Sequence, residues 1–181
     1  MADLKISGLT SIAAATTRAD LLHVIDAPSG TPSNKKVTIG EMINSLHAPV
    51  KLAAGTQDLT EASHAGRMLI VPNQTGNSIL TLPTPKIGMS MRFTYGGVAA
   101  DAQNTAISAG TGNSLFFLGS IFFTEATGTP AHAVAYSNNS SNELITLVTP
   151  INFDVLCVGI SATTWQVSGY CASATTPSFA N

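Results

Sequence analysis

The sequence predicts an all-β fold: a β-sandwich or jelly-roll-like barrel of short antiparallel strands, carrying a small N-terminal arm of one hairpin and one short helix. Three observations predict it. Short apolar runs recur from residue 50 to the end, none long enough for an ordinary helix. Clusters of Pro, Gly and Asn separate them, as at Pro72-Asn73 and Pro83-Thr84-Pro85. Met89, Met91, Phe93 and Tyr95 alternate with Ser90, Arg92 and Thr94, the period of two of a strand with one buried face.

The arm is placed at residues 1–49 and the body at 50–181. Eight charged residues fall in the first 49 positions and ten in the remaining 132, so the composition changes near Pro49. Leu4, Ile6 and Leu9 sit in a polar start, followed by a loose run at 13–17. Asp20 to Asp26 (DLLHVID) reads as a strand, Ala27 to Asn34 as a loop, and Lys35 to Thr38 as the returning strand of a hairpin. Thr38-Ile39-Gly40-Glu41 fits a capping box, in which the Thr38 hydroxyl accepts from the Glu41 amide and the Glu41 carboxylate reaches back. Ile39, Met42, Ile43 and Leu46 then form one helical stripe, which Pro49 ends. So short a helix is not stable alone and must dock on something.

In the body, Val50 to Ala54 is a short strand, and Thr60 to Gly66 is one helical turn capped by Thr60 and closed by Gly66. Arg67 to Tyr95 reads as a meander of three strands: Met68 to Val71, Ile79 to Leu82, and Met89 to Tyr95. Further strands are expected at Thr105 to Ala109, Leu115 to Leu118, Ser120 to Glu125, Ala131 to Tyr136, Leu144 to Thr149, Asp154 to Ile160 and Thr164 to Ser168. TGNS at Thr75 recurs at Thr111, and LTLPTP at Leu80 recurs as ITLVTP at Ile145. No period is sustained, so these echoes favour repeated hairpins over a solenoid.

Charged residues make up only 10% of the chain, against roughly 25% in ordinary soluble proteins. A surface so poor in charge is expected to be covered in part by other subunits. The four phenylalanines Phe116, Phe117, Phe122 and Phe123 are either core or a face toward a neighbouring subunit. The second reading makes them the candidate subunit interface. A net charge of −2 gives no reason to expect nucleic acid or an anionic membrane as partner. No run approaches the length of a membrane-spanning helix, and no signal peptide is visible at the N-terminus.

Motifs for chemistry are sparse. His23, His47, His64 and His132 are not at metal-ligand spacing, and Cys157 and Cys171 belong to no CxxC pair. The two cysteines lie on the arms of the last expected hairpin and read as reduced, buried small hydrophobes. Gly88 to Arg92 misses GxSxG at its last position and lies inside an alternating strand, so Ser90 reads as an ordinary strand residue. The glycines at 96–97 and 110–112 lack the residues of a phosphate loop. Among the scattered carboxylates nothing singles out a catalytic pair. The expectation is a protein that is not an enzyme and that needs no cofactor or metal. Lys35-Lys36, the one basic doublet, reads as a guarded hairpin edge or as a contact for an acidic partner.

Two sets of residues resemble a known family. Asp20 to Asp26, the Gly/Pro/Ser loop and Lys35 to Ile39 resemble the N-terminal attachment motif of tailed-bacteriophage fibre and virion proteins. Ala65 to Val71, Ile79 to Pro83, Gly88 to Phe93 and Ala162 to Gly169 resemble phage head decoration (cement) proteins and fibre modules. The resemblance implies a homotrimer on the outer capsid surface of a virion, assembled in the host cytoplasm. The major capsid protein would be the partner, and the lattice would be stabilised against the pressure of packaged DNA. The arm would then supply the capsid contacts through Leu22, Val24, Lys35, Lys36, Val37 and Ile39. Two alternatives stand beside it: a short head or tail fibre that binds a host-surface glycan, and a small polysaccharide-acting hydrolase.

Overall fold

The computed structural model describes residues 17, 19–26, 33–112, 114–128 and 131–181. The expectations for Leu4, Ile6 and Leu9, for the run at 13–16 and for the loop at 27–32 lie outside these residues, as do Asn113 and the end of the loop at 126–130. The chain divides into two compact units, Met1–His47 and Ala48–Asn181, two residues ahead of the boundary expected at Pro49.

In the first unit, strands β1 (Leu21–Asp26) and β2 (Ser33–Thr38) pair antiparallel, from Leu21 opposite Thr38 to Asp26 opposite Ser33. Helix α1 (Ile39–His47) follows without a loop. Its start is the expected capping box. Glu41 N donates to Thr38 Oγ1 at 3.0 Å, and Thr38 N and Oγ1 both donate to Glu41 Oε2 at 2.8 Å. These donors favour the charged carboxylate, the Thr38 backbone amide most of all, so the Glu41 pKa lies below its ordinary value. A depressed carboxylate pKa gives stability that is present above the unfolded-state value and lost as pH falls through the folded-state value. The Thr38 and Glu41 amide resonances are therefore expected to titrate together, with a midpoint below the usual glutamate range, and α1 should loosen across that window. A midpoint at the ordinary value would mean that the box does not hold in solution.

The second unit is a sandwich of two sheets. One has seven strands in the order β10-β9-β13-β12-β7-β5-β3, the other five in the order β14-β11-β8-β6-β4. Up to residue 108 the chain alternates between the sheets. β3 (Val50–Lys51), β5 (Arg67–Val71) and β7 (Ser90–Tyr95) lie in the large sheet; β4 (Gln57–Asp58), β6 (Ser78–Thr81) and β8 (Thr105–Ser108) lie in the small one. Each strand pairs parallel with the next but one, as Leu69 with Phe93 and Leu80 with Ile107. The expected meander is thus corrected to stacked coils, and the expected antiparallel pairing fails here. The physical reason is at the corners: Pro72, Pro83 and Pro85, with Gly66 and Gly88 at positive φ, send the chain across the sandwich rather than back beside its last strand. A one-turn helix α2 (Glu61–His64) lies on this path, and the Thr60 hydroxyl accepts from Ser63 N.

The remaining strands are β9 (Phe116–Glu125), β10 (His132–Tyr136), β11 (Leu144–Leu147), β12 (Pro150–Gly159), β13 (Thr164–Ser173) and β14 (Ser178–Ala180). They pair antiparallel except for β9 with β13, which is parallel. The expected break at Gly119-Ser120 is absent: β9 is one strand. It passes through Gly119 at φ +107 and keeps its register, with Gly119 opposite Val167 and Phe122 opposite Tyr170.

The core lies between the sheets. A cross-strand row of Leu69, Phe93 and Val155 faces a row of Leu80, Ile107 and Ile145, all buried, with Trp165, Phe117 and Phe153 filling the remainder. Cys157 and Cys171 are both buried and free. They are not brought together as the hairpin suggested. Cys157 pairs with Val167, four positions before Cys171, which is about 13 Å along the strand and beyond disulfide reach. Burial alone pushes the Cys157 thiol up to about 12. Burial also raises Cys171, to about 11, against a weaker opposing hydrogen bond to Ser173.

Candidate functional site

Exposed large apolar side chains stand out on each unit. On the body they include a row on the outer face of the large sheet where β10, β9 and β13 adjoin. Val134 sits opposite Phe122, and Phe122 opposite Tyr170, so the three side chains form one row across three strands. They are 53%, 48% and 42% exposed. The Phe122 ring stacks on His132, with centroids 5.9 Å apart. The row continues to Asp154 on β12, which forms a bidentate ion pair with Arg92 on β7. Arg92 Nε donates to Asp154 Oδ1 at 2.8 Å and Nη2 to Oδ2 at 2.6 Å. That hydrogen bonding, and then the charge of Asp154, raise the Arg92 pKa. An apolar strip bordered by a fixed charge pair has the character of an interface core and its polar rim.

β10 also inverts the usual pattern. Its alternation is Ala133 and Ala135 against Val134 and Tyr136, yet the small residue Ala135 is buried while Val134 and Tyr136 face outward. A sheet that only had to cover its own core would turn the larger side chains inward.

The sequence singled out four phenylalanines for this role, and the structure corrects two of them. Phe117 and Phe123 are buried between the sheets, because the unbroken register of β9 points Phe117, Ile121 and Phe123 to the same inner face. Phe122 lies on the outer face, and Phe116 is half-buried at the start of the strand. Val134 and Tyr170, which complete the exposed row with Phe122, were not singled out by the sequence, since each is an isolated large residue whose neighbours come from distant parts of the chain.

On the arm, Leu21 and Leu22 of β1 and Met42 and Leu46 of α1 are exposed. Lys35 and Lys36 are exposed on β2, while Val37 and Ile39 are half-buried. Val24 pairs with Lys35 along the backbone. Gly40 is the only buried residue of the arm among those whose burial is described.

Other chemistry-bearing residues are dispersed. The His64 ring Nδ1 accepts from Thr60 N at 2.9 Å. Glu61 pairs with Lys86, and the buried Asp101 accepts from the backbone amides of Gln74 and Gln103. Ser90 lies half-buried on β7. Among the described residues no three His, Cys, Asp or Glu side chains gather as a metal site, and no helix is long and apolar enough to cross a membrane. No protein-family model matches the chain, and no curated protein matches it either.

Proposed function

We propose that this is a structural assembly protein: a β-module that joins copies of itself through the body and grips a second partner through the arm. More specifically, it is a virion protein that decorates the outer surface of a tailed-phage capsid as a homotrimer and reinforces the lattice against internal DNA pressure. The major capsid protein is the partner, and the role is mechanical rather than enzymatic. One observation supports the assembly part of this reading, while the trimer, capsid and virion parts rest on the resemblance of the arm and body motifs. Each compact unit leaves large apolar side chains exposed, the row Val134–Phe122–Tyr170 on the body and Leu21, Leu22, Met42 and Leu46 on the arm. A chain that served only as a monomeric domain would gain nothing from leaving both uncovered. The low charge content supports the same reading.

The direct test is to add purified protein to capsids that lack it and image them. Saturable binding in many copies over the capsid faces, with raised resistance to heat or osmotic shock, is the expected result. Attachment only at a vertex or tail would favour a fibre instead. The body surface has its own test. Phe122→Ser combined with Val134→Ser is expected to reduce the solution mass from trimer to monomer while leaving the fold intact, because both side chains lie outside the core. Light scattering that still shows a trimer would put the self-association face elsewhere.

A further inference from the structure

We infer that the body carries a shallow binding site for a neutral saccharide, in the groove over Gly119 between β10 and β13. The groove adjoins the Val134–Phe122–Tyr170 row on the same outer face, with Ser120 and Tyr136 two positions along from Phe122 and Val134, but its argument does not rest on the assembly reading. The groove encloses about 550 Å³ and is lined by Leu118, Gly119, Ser120, Tyr136, Ser137, Asn139 and Gln166. That volume lies within the range of small-molecule sites and accommodates one or two sugar rings.

Residue 119, in the floor of the groove, has to be glycine for β9 to lie against β13. A Cβ there would lie 2.2 Å from the Val167 carbonyl oxygen and 3.2 Å from Gln166 Nε2, and the backbone is at φ +107, a conformation that side chains disfavour. One wall is Tyr136, 74% exposed, opposite Ser120; the other is Gln166, opposite Leu118. Its end is the loop from Ser137 to Asn142, which is fixed by its own side chains. Asn138 Oδ1 accepts from the amides of Ser140, Ser141 and Asn142 at 3.0–3.1 Å, and Ser137 Oγ donates to the Phe117 carbonyl at 2.5 Å. This loop holds Asn139 at φ +61, with its Oδ1 3.4 Å from the Gly119 amide. Gly119 and Asn139, both at positive φ and both of residue types that adopt it readily, meet at this groove.

The lining selects the ligand. It contains no charged side chain, so neither an anion nor a cation is matched. It offers an aromatic face for the apolar side of a pyranose ring, and around it are the side-chain amides of Asn139 and Gln166 and the hydroxyl of Ser120 for the ring's own hydroxyls. Among the described residues the side chains of Tyr136, Gln166 and Ser120 make no hydrogen bond, so these donors and acceptors are available.

The test uses the full-length protein, with glucose, galactose, N-acetylglucosamine and their short β-linked oligomers as probes, followed by amide NMR. The expected result is saturable shifts at Gly119, Asn139 and the Gln166 side chain, with millimolar affinity for at least one probe. Tyr136→Ala and Gln166→Ala should each weaken it about tenfold, and Tyr136→Phe should retain most of it. Gln166→Ala should leave the solution mass unchanged. Absence of saturable shifts at these residues with every probe overturns the proposal. So does binding that survives both alanine variants, or a Tyr136→Ala variant that alters only the solution mass.

Discussion

Replacing Trp165 by Ala is expected to destabilise the body by about 3–5 kcal/mol, the range for removing a large aromatic side chain from a packed core. In a domain of this size that lowers the melting temperature by on the order of 10 °C. Trp165 is fully buried, opposite Phe117 on β9 and Gly159 on β12, and is the largest side chain of the core. It closes the end of the sandwich where the turn into β13 begins. Its indole Nε1 is buried and finds no acceptor among the described residues. That detail makes Trp165→Phe informative: it leaves a smaller cavity and also removes an unpaired donor, whose burial is itself unfavourable. The phenylalanine variant is therefore expected to lose much less than the alanine variant. Thermal or chemical denaturation of the two variants checks this. Equal losses would show that the indole nitrogen is satisfied in solution, and a negligible loss for Ala would place the ring outside the core.

Deleting residues 1–47 is expected to abolish attachment to capsids while leaving a folded, self-associated body. Among the described residues, every member of the hydrophobic core cluster lies at or after Leu52, within the body. The arm has the opposite character, with exposed leucines on β1 and α1 and two exposed lysines on β2. In a trimer three such arms act together. The second and third contacts are then intramolecular, so avidity can exceed the affinity of one arm by roughly two to four orders of magnitude. Removing the arms should consequently lower occupancy from near-complete to undetectable at micromolar protein. Pelleting of the truncated protein with capsids measures this directly. Normal occupancy would move the capsid-binding surface to the body.

The all-β character, the two-part division of composition and most strand positions were legible in the sequence. So was the capping box at Thr38, because Thr and Glu at that spacing satisfy each other's backbone amides within a single turn. These are local matters: propensity, alternation and turn chemistry act over a few residues. The inward placement of Phe117 and Phe123 and the outward placement of Phe122 were also implicit in the period of two, once Gly119 is seen to keep the register rather than break it.

Strand partners were decided only by the tertiary structure. Alternation says which side chains share a face but not which strand lies alongside, so a hairpin and a coil that crosses between sheets read alike. Stacking β3, β5 and β7 in one sheet and β4, β6 and β8 in the other lets each short strand bury one face against the opposite layer. The row Val134–Phe122–Tyr170 and the groove over Gly119 have the same origin. Their residues come from β9, β10 and β13 and from the loop after β10, and they meet because β13 runs parallel to β9 with β10 on its other edge. No local pattern encodes that adjacency. It follows from the way the whole sandwich closes over its core.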